Sequence, residues 1–435
     1  MAGKRFSGNL LTWTVRREGD PFRVYVVEPS VYDPSGHAAI FGAAITALIS
    51  PPADRLGDRQ LPHPTGLPVP AGFDLVTFPE AFLPWQTLIA FLESVSDDPV
   101  PLGCVHVGLR SESAGNNHLL PLDEVRDFAR RLQRVPGVVA KDLARFLRWL
   151  SAQVAGHFNL ACLLTIDAGS RTRVCVHPKM VRSPYELSSH PEQQLTEANL
   201  LSLVTLRPMD ANLPTVTIQP LICSDVLALG TDRPIRRPLE ALNTDAHCLG
   251  RKIPDHVDVV SLFAGTPQHE IPESGDRRWR QEFRESFVRA SSDDLFGRQN
   301  LAVFVLANYS VFPGKERPGG LSGVFVPLPV GKGEASPPPM ASRLLYGRFP
   351  TAEAEADWAP DEIDREKDAP ILGHLMTLSP HGASTGSLAT LFGFTVNRLP
   401  RRASRWRRNG RLVDLSASDA IHLGSGIRFD HRSEP

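Results

Sequence analysis

Residues 215–229 read TVTIQPLICSDVLAL. Thr215, Val216, Thr217 and Ile218 are β-branched, and Leu221 and Ile222 extend the apolar run, a composition that fits a buried pleated surface and predicts a strand. At its end stand Cys223, Ser224 and Asp225. A thiol at the mouth of a strand, followed by backbone N–H groups that can turn toward a ligand, suits a nucleophile with an oxyanion site beside it. Taken alone, a free cysteine in such a run is more often a small buried hydrophobe. The choice between these readings therefore rests on the rest of the chain.

That chain has 435 residues, of which 42% are hydrophobic, enough for one large core or two moderate ones. A net charge of -1 supplies no global field to recruit nucleic acid or a membrane surface. The 39 prolines predict long, stiff loops between elements. The five cysteines, Cys104, Cys162, Cys175, Cys223 and Cys248, are widely spaced and contain no CxxC pair, so neither a zinc ribbon nor a disulfide framework is indicated. Free thiols fit a reducing cytosol. The opening MAGKRFSGNLLTWTVRREGD lacks an apolar core of signal-peptide length. No stretch approaches the roughly 18–20 uninterrupted apolar residues of a membrane helix. These features predict a soluble, cytoplasmic, globular protein.

Strands and helices alternate along the chain. Residues 22–28 (PFRVYVV from Pro21) predict a first strand, and residues 37–49 (HAAIFGAAITALI) a helix stopped by Pro51 and Pro52. Phe73 to Phe78 reads as a second strand and Trp85 to Val95 as a helix, with Pro79 and Glu80 at the strand end between them. In alternating α/β chains that edge is where sites are built. Residues 101–108 predict another strand. Apolar positions at helical spacing across 122–155 predict two helices broken near Pro136 and Gly137. Residues 158–166 and 171–177 read as two strands around an Asp-Ala-Gly-Ser turn, and Lys179 follows directly, with Glu186 seven residues on. Beyond 215–229, strands are expected at 257–263, 301–307 and 323–328. Trp279, Phe283 and Phe287 form an aromatic stripe of a helix over 276–290, read as core. This alternation predicts a layered α/β architecture over residues 1–330. From 331 the composition becomes linker-like, then acidic, and ends in the basic run RLPRRASRWRRNGR (398–411), so 331–435 reads as a C-terminal extension. The basic run is taken as a solvated turn or an interface, not as a nucleic-acid site.

Three strand ends thus carry Glu80, Lys179 and Cys223, in that order. The stretches TFPEAFLP, HPKMVRSPYE and PLICSDV resemble the three signature stretches of the nitrilase superfamily, the carbon–nitrogen hydrolases. FNLACLLTIDAGSRTRVCVHPK, the helix near 276–290, and LANYS with GGLSGVFVPL downstream fit the same pattern over roughly residues 20–330. The resemblance implies a four-layer α-β-β-α sandwich, here with a helical insertion at about 122–155, often dimerised through helices. It implies a cysteine hydrolase of linear amides or carbamoyl groups that needs no metal or organic cofactor. In that chemistry Cys223 would attack the carbonyl and form a thioester. Glu80 would be the general base. Lys179, assisted by the Ser224 N–H, would face the developing oxyanion. Glu186 would support the lysine or position substrate. A cation beside Cys223 is also expected to favour its thiolate. His106, His118, His157, His177 and His247 lack ligand spacing and read as core or surface histidines.

Many family members follow Cys-x-Asp with a Leu-Arg-Phe-Pro-Glu run, whereas this chain has Val226-Leu227-Ala228-Leu229-Gly230. Ser224-Asp225 looks more like the amidase and carbamoylase branches than like nitrilases, which usually carry Cys-Trp-Glu. Two further readings stay open. In one, the thioester is captured by an amine, making the protein an acyltransferase. In the other, motivated by the lost post-cysteine run and the basic segment, a nitrilase-like module serves binding or assembly, for instance in a defence or signalling system.

Overall fold

The structure, a computed structural model, describes residues 6–17, 19, 22–29, 33–49, 72–97, 99, 101–112, 119–183, 186, 194–226, 254, 257–265, 283, 286–287, 302–309, 322–328, 343–347, 371–378, 389–396, 419–422 and 428–431. Outside the described residues lie the basic segment 398–411, Cys248, His118, His247, the post-cysteine run Leu227–Gly230, the linker-like and acidic stretches of 331–369 other than 343–347, and most of the helix expected at 276–290.

The described elements run β1 (Ser7–Val15), β2 (Phe22–Pro29), α1 (His37–Ile49), β3 (Leu75–Thr77), β4 (Leu83–Pro84), α2 (Trp85–Asp97), β5 (Leu102–Arg110) and β6 (Leu120–Pro121). Next come α3 (Leu122–Leu132), α4 (Ala140–Ser151), β7 (His157–Phe158), β8 (Leu160–Ile166), β9 (Thr172–Pro178), β10 (Leu200–Pro208) and β11 (Val216–Ile222). Then follow β12 (Val259–Phe263), β13 (Val303–Ala307), β14 (Gly323–Leu328), β15 (Arg343–Gly347), β16 (Ile371–Leu378), β17 (Ala389–Val396), β18 (Asp419–His422) and β19 (Arg428–His431). The protein is a mixed α/β molecule with two large sheets. One is seven-stranded in the order β1-β10-β11-β12-β13-β14-β15. The other is eight-stranded, β16-β17-β2-β3-β5-β8-β9, with β4 also on β5.

The centre of each sheet is parallel: β2, β3 and β5 in one, β11, β12 and β13 in the other. Parallel strands are covered on both faces, which is why β2, β11, β12 and β13 are buried at every position and are dominated by apolar and β-branched residues. The sheets pack on each other through β13 on β2 and β3, β12 on β3, and β10 on β9. A hydrogen bond of 3.0 Å between the Thr77 and Ser261 hydroxyls bridges them. Helices α1 and α2 lie against β4 of the eight-stranded sheet. The aromatic stripe of 276–290 is core where it is described: Phe283 and Phe287 are buried, and Phe287 stacks on Phe304 of β13 at 4.6 Å.

Both helices expected within 122–155 are present, and they are tied into the layers. Asp142 of α4 takes a two-pronged ion pair from Arg173 of β9, at 2.6 and 2.7 Å. Glu124 of α3 accepts the Trp85 indole N–H at 3.2 Å and the Ser111 hydroxyl at 3.0 Å. The stretch beyond 330, set apart by composition, also enters the sheets. β15 pairs with β14, and β17 pairs with β2 along its whole length, Ala389↔Pro29 to Val396↔Phe22. Composition marks where polar connections lie, whereas strand pairing is long-range and ignores them. No helix among the described residues is long and apolar enough to cross a membrane.

Candidate functional site

The site forms where the C-terminal ends of strands from both sheets meet. β3 ends at Thr77, and the chain turns through Phe78, Pro79 and Glu80 before Ala81, whose φ is 50°. A non-glycine residue at positive φ is strained and persists only where its surroundings enforce it. Here Phe78 N–H donates to His106 O at 2.9 Å, Glu80 N–H to Ala264 O at 3.4 Å and Phe82 N–H to Gly108 O at 3.0 Å, while the Tyr309 hydroxyl donates to Glu80 O at 2.9 Å. The turn lies so close to β5 that a Cβ on Gly108 would sit 2.6 Å from the Ala81 nitrogen, so only glycine fits there.

Lys179 follows β9, its N–H donating to Asn159 O at 2.8 Å. Cys223 opens a short 3-10 turn, Cys223–Asp225, at the end of β11, with φ of 45°. Pro220 has no N–H for a ladder, and on the β10 side pairing stops at Ile218↔Val204, while pairing with β12 runs on to Ile222↔Phe263 and holds β11 up to Cys223. Asp225 then fastens this turn to the residues after Lys179. Its carboxylate accepts Met180 N–H at 2.8 Å and Val181 N–H at 2.9 Å on Oδ1, and Ile222 N–H at 3.2 Å on Oδ2. The Ser224 hydroxyl donates to Val181 O at 2.5 Å.

At the centre, the Lys179 ammonium bridges two carboxylates, Glu80 Oε1 at 3.0 Å and Glu186 Oε1 at 2.9 Å. Glu186 Oε2 accepts the Ser183 N–H at 2.7 Å. Asn159 Nδ2 donates to Glu80 Oε1 at 2.7 Å, and Gly265 N–H donates to Glu80 Oε2 at 2.8 Å. Glu80, Lys179, Glu186, Cys223 and Ser224 are all buried. Burial works against the Lys179 charge, but Glu186 and Glu80 outweigh it and hold the ammonium well above the ordinary lysine range. The Cys223 thiol lies within the fields of Glu80, Lys179, Glu186 and Asp225.

One expectation is corrected. Lys179 does lower the Cys223 pKa, but burial and the Glu80 charge raise it more, and the thiol stands well above its usual range. The low dielectric penalises the thiolate, and Glu80, Glu186 and Asp225 act on the thiol against the single Lys179 ammonium. Cys223 therefore rests protonated and needs a base at the moment it reacts. Asp225 is likewise pushed up to about 7 by burial, against the three N–H groups it accepts.

A second polar group lies between the two sheets. His106 and His177 meet Nε2 to Nε2 at 2.9 Å, and His106 Nδ1 contacts the Ser261 hydroxyl at 2.7 Å. Burial lowers both imidazoles, His106 well below its usual value and His177 to about 3. Both rings are fully buried, and His157 is half-buried.

All five residues singled out in the sequence, Glu80, Lys179, Cys223, Glu186 and Ser224, gather in this region. Asn159, Gly265 and Tyr309 carry no site reading in the sequence; Asp225 enters it only within Cys-Ser-Asp, and His106 and His177, read as core or surface histidines, are core. Asn159 left a trace, since it is the single polar side chain interrupting the apolar run FNLACLL. The link from Gly265 and Tyr309 to Glu80 crosses from one sheet to the other and has no local signal. Among the described residues no group of His, Cys, Asp and Glu is placed to hold a metal ion. Neither a scan of family models nor a comparison with curated proteins gives a match to this chain.

Proposed function

We propose that the protein is a thiol-dependent hydrolase that cleaves a non-peptide carbon–nitrogen bond, in a linear amide or carbamoyl group, on a four-layer nitrilase-like sandwich. The observation that carries this reading is the buried Lys179 ammonium held between Glu80 and Glu186, with the Cys223 thiol in the same field. An amide carbon is a poor electrophile, so attack, proton removal and oxyanion stabilisation have to coincide. Cys223 Sγ bonds to the carbonyl carbon as Glu80 takes its proton. Lys179 and the Ser224 N–H face the oxyanion. As the C–N bond breaks, Glu80 returns the proton to the departing amine, leaving a thioester. Water then attacks, again giving a proton to Glu80, and the acid leaves as Sγ regains its proton. A resting thiol fits this sequence, because Glu80 serves as base toward the thiol and then toward water.

A panel of amides and carbamoyl compounds, read by intact mass, tests the proposal. It is expected to trap an acyl adduct on Cys223, and Cys223→Ala and Cys223→Ser are expected to lose turnover while keeping the fold. Full activity in both variants would sink it. Addition of an amine to the trapped adduct separates hydrolysis from acyl transfer. A second reading, a non-catalytic binding or assembly module, is favoured by the near-complete shielding of Cys223, which is 1% exposed. Retained biological activity in a Glu80→Gln, Lys179→Met, Cys223→Ala triple variant would support it.

A further inference from the structure

The Glu80 carboxylate is held unequally. Oε1 accepts two donors, Lys179 Nζ at 3.0 Å and Asn159 Nδ2 at 2.7 Å, whereas Oε2 accepts only Gly265 N–H, at 2.8 Å, among the described residues. A carboxylate oxygen has about two lone-pair sites, so Oε1 is filled and Oε2 keeps one open. Asn159 is fully buried, yet its Oδ1 has no hydrogen-bond partner. Turning the amide over would set Oδ1 against Glu80 Oε1, two acceptors face to face, so the Glu80 contact fixes the orientation. Oδ1 and Nδ2 share one carbon, which keeps Oδ1 within about 5 Å of Glu80 Oε1. A buried acceptor without a donor is costly and is retained where something supplies the donor.

We propose that Asn159 selects substrates bearing an N–H: its Oδ1 accepts the N–H of the group bound against Cys223, while its Nδ2 occupies Glu80 Oε1 and leaves Oε2 as the atom that takes the Cys223 proton. This rests on the reading of Glu80, Lys179 and Cys223 as a carbonyl-handling site, and it names the substrate class: primary and monosubstituted amides or carbamoyl compounds, rather than esters or fully substituted amides. A site built to pair with a polar hydrogen rejects the analogue that lacks it, because its own buried group is then left unpaired.

The experiment uses two alkylating reagents on the full-length protein, 2-chloroacetamide and 2-chloro-N,N-dimethylacetamide, followed by peptide mapping of Cys223. In each, an Sγ–C bond forms, the C–Cl bond breaks, chloride leaves and the thiol proton passes to Glu80 Oε2. Rates are divided by those of a small free thiol, which removes the reagents' intrinsic difference. The wild-type protein is expected to favour the N–H reagent about tenfold, the worth of one good hydrogen bond. Asn159→Ala is expected to bring that ratio to about one. Asn159→Asp, which keeps an acceptor oxygen for the N–H, is expected to retain a preference for the N–H reagent. A merely structural role for Asn159 changes rates for both reagents together and leaves the ratio alone. An equal ratio in the wild type, an unchanged ratio in Asn159→Ala, or a Cys223 that neither reagent reaches overturns the proposal. A clear preference without any thioester or turnover on amides instead overturns the hydrolase reading and leaves the N–H selection standing.

Discussion

Lys179 is the residue on which the site's electrostatics depend. Its ammonium is 2% exposed and lies between two buried carboxylates. Replacing one partner of a buried ion pair leaves uncompensated charge, which costs about 3–5 kcal/mol. Lys179→Met is therefore expected to destabilise the protein by about that amount at neutral pH, measured by urea unfolding. The deficit should shrink toward pH 4, because an unpaired buried carboxyl takes up a proton more readily than a paired one. A deficit below about 1 kcal/mol at neutral pH, typical of exposed pairs, would show that the three groups are not a closed buried unit. Cys223 is the complementary case. Its strand-end position is visible in the sequence, but its protonation is not, because burial and the surrounding carboxylates come from segments far apart in the chain.

Among the elements, β2 is the most dependent on distant partners. All eight of its residues are buried, and it is flanked by β3 on one side and β17 on the other. Ending the chain after residue 370 would remove β16 and β17 and turn β2 into an unpaired edge, a template for association with other chains. Such a truncation is expected to lose soluble monomer in favour of aggregate, as read by size-exclusion chromatography and refolding yield. Recovery of a stable, monodisperse product would show that the late strands are dispensable. The local elements were largely legible. The helix over 37–49 appears with those bounds, and the strands at 22–29 and 323–328 fall where their apolar runs predict. The strand expected at 73–78 is shorter, Leu75–Thr77, because the Asp74 carboxylate accepts Arg23 N–H at 2.8 Å and Arg17 Nε at 3.1 Å, anchoring the entry to the strand.

For the whole molecule, the neutral histidine pair contributes to the response to acid, alongside His37, which burial lowers to about 4. His177 is lowered to about 3 and His106 well below 6.5, so the unfolded chain binds protons on both before the folded one does. The stability they contribute is fully present above about pH 6.5 and is lost as pH falls from there toward about 3, at up to about 1.4 kcal/mol per pH unit for each ring. Measured by denaturant unfolding across that window, His177→Gln is expected to halve this part of the slope. An unchanged slope would show that the pair is charged or exposed in the folded protein. The pair lies between the sheets, with His106 linked to Ser261 of the opposite sheet, so an acid-sensitive contact is one that joins the two sheets.

The amino-acid sequence alone specifies what is local. Apolar runs, turn residues and helical spacing fix which segments become strands or helices, because those preferences act over a few neighbouring residues. They also placed Glu80, Lys179 and Cys223 at strand ends. Long-range pairing decided the rest. The second strand partner of β2 comes from the far end of the chain, Asn159 and Gly265 reach Glu80 from opposite sheets, and burial keeps Cys223 a thiol. Contacts between residues far apart in the chain leave no periodic trace in its composition, and the charge state of a buried group depends on all its neighbours at once.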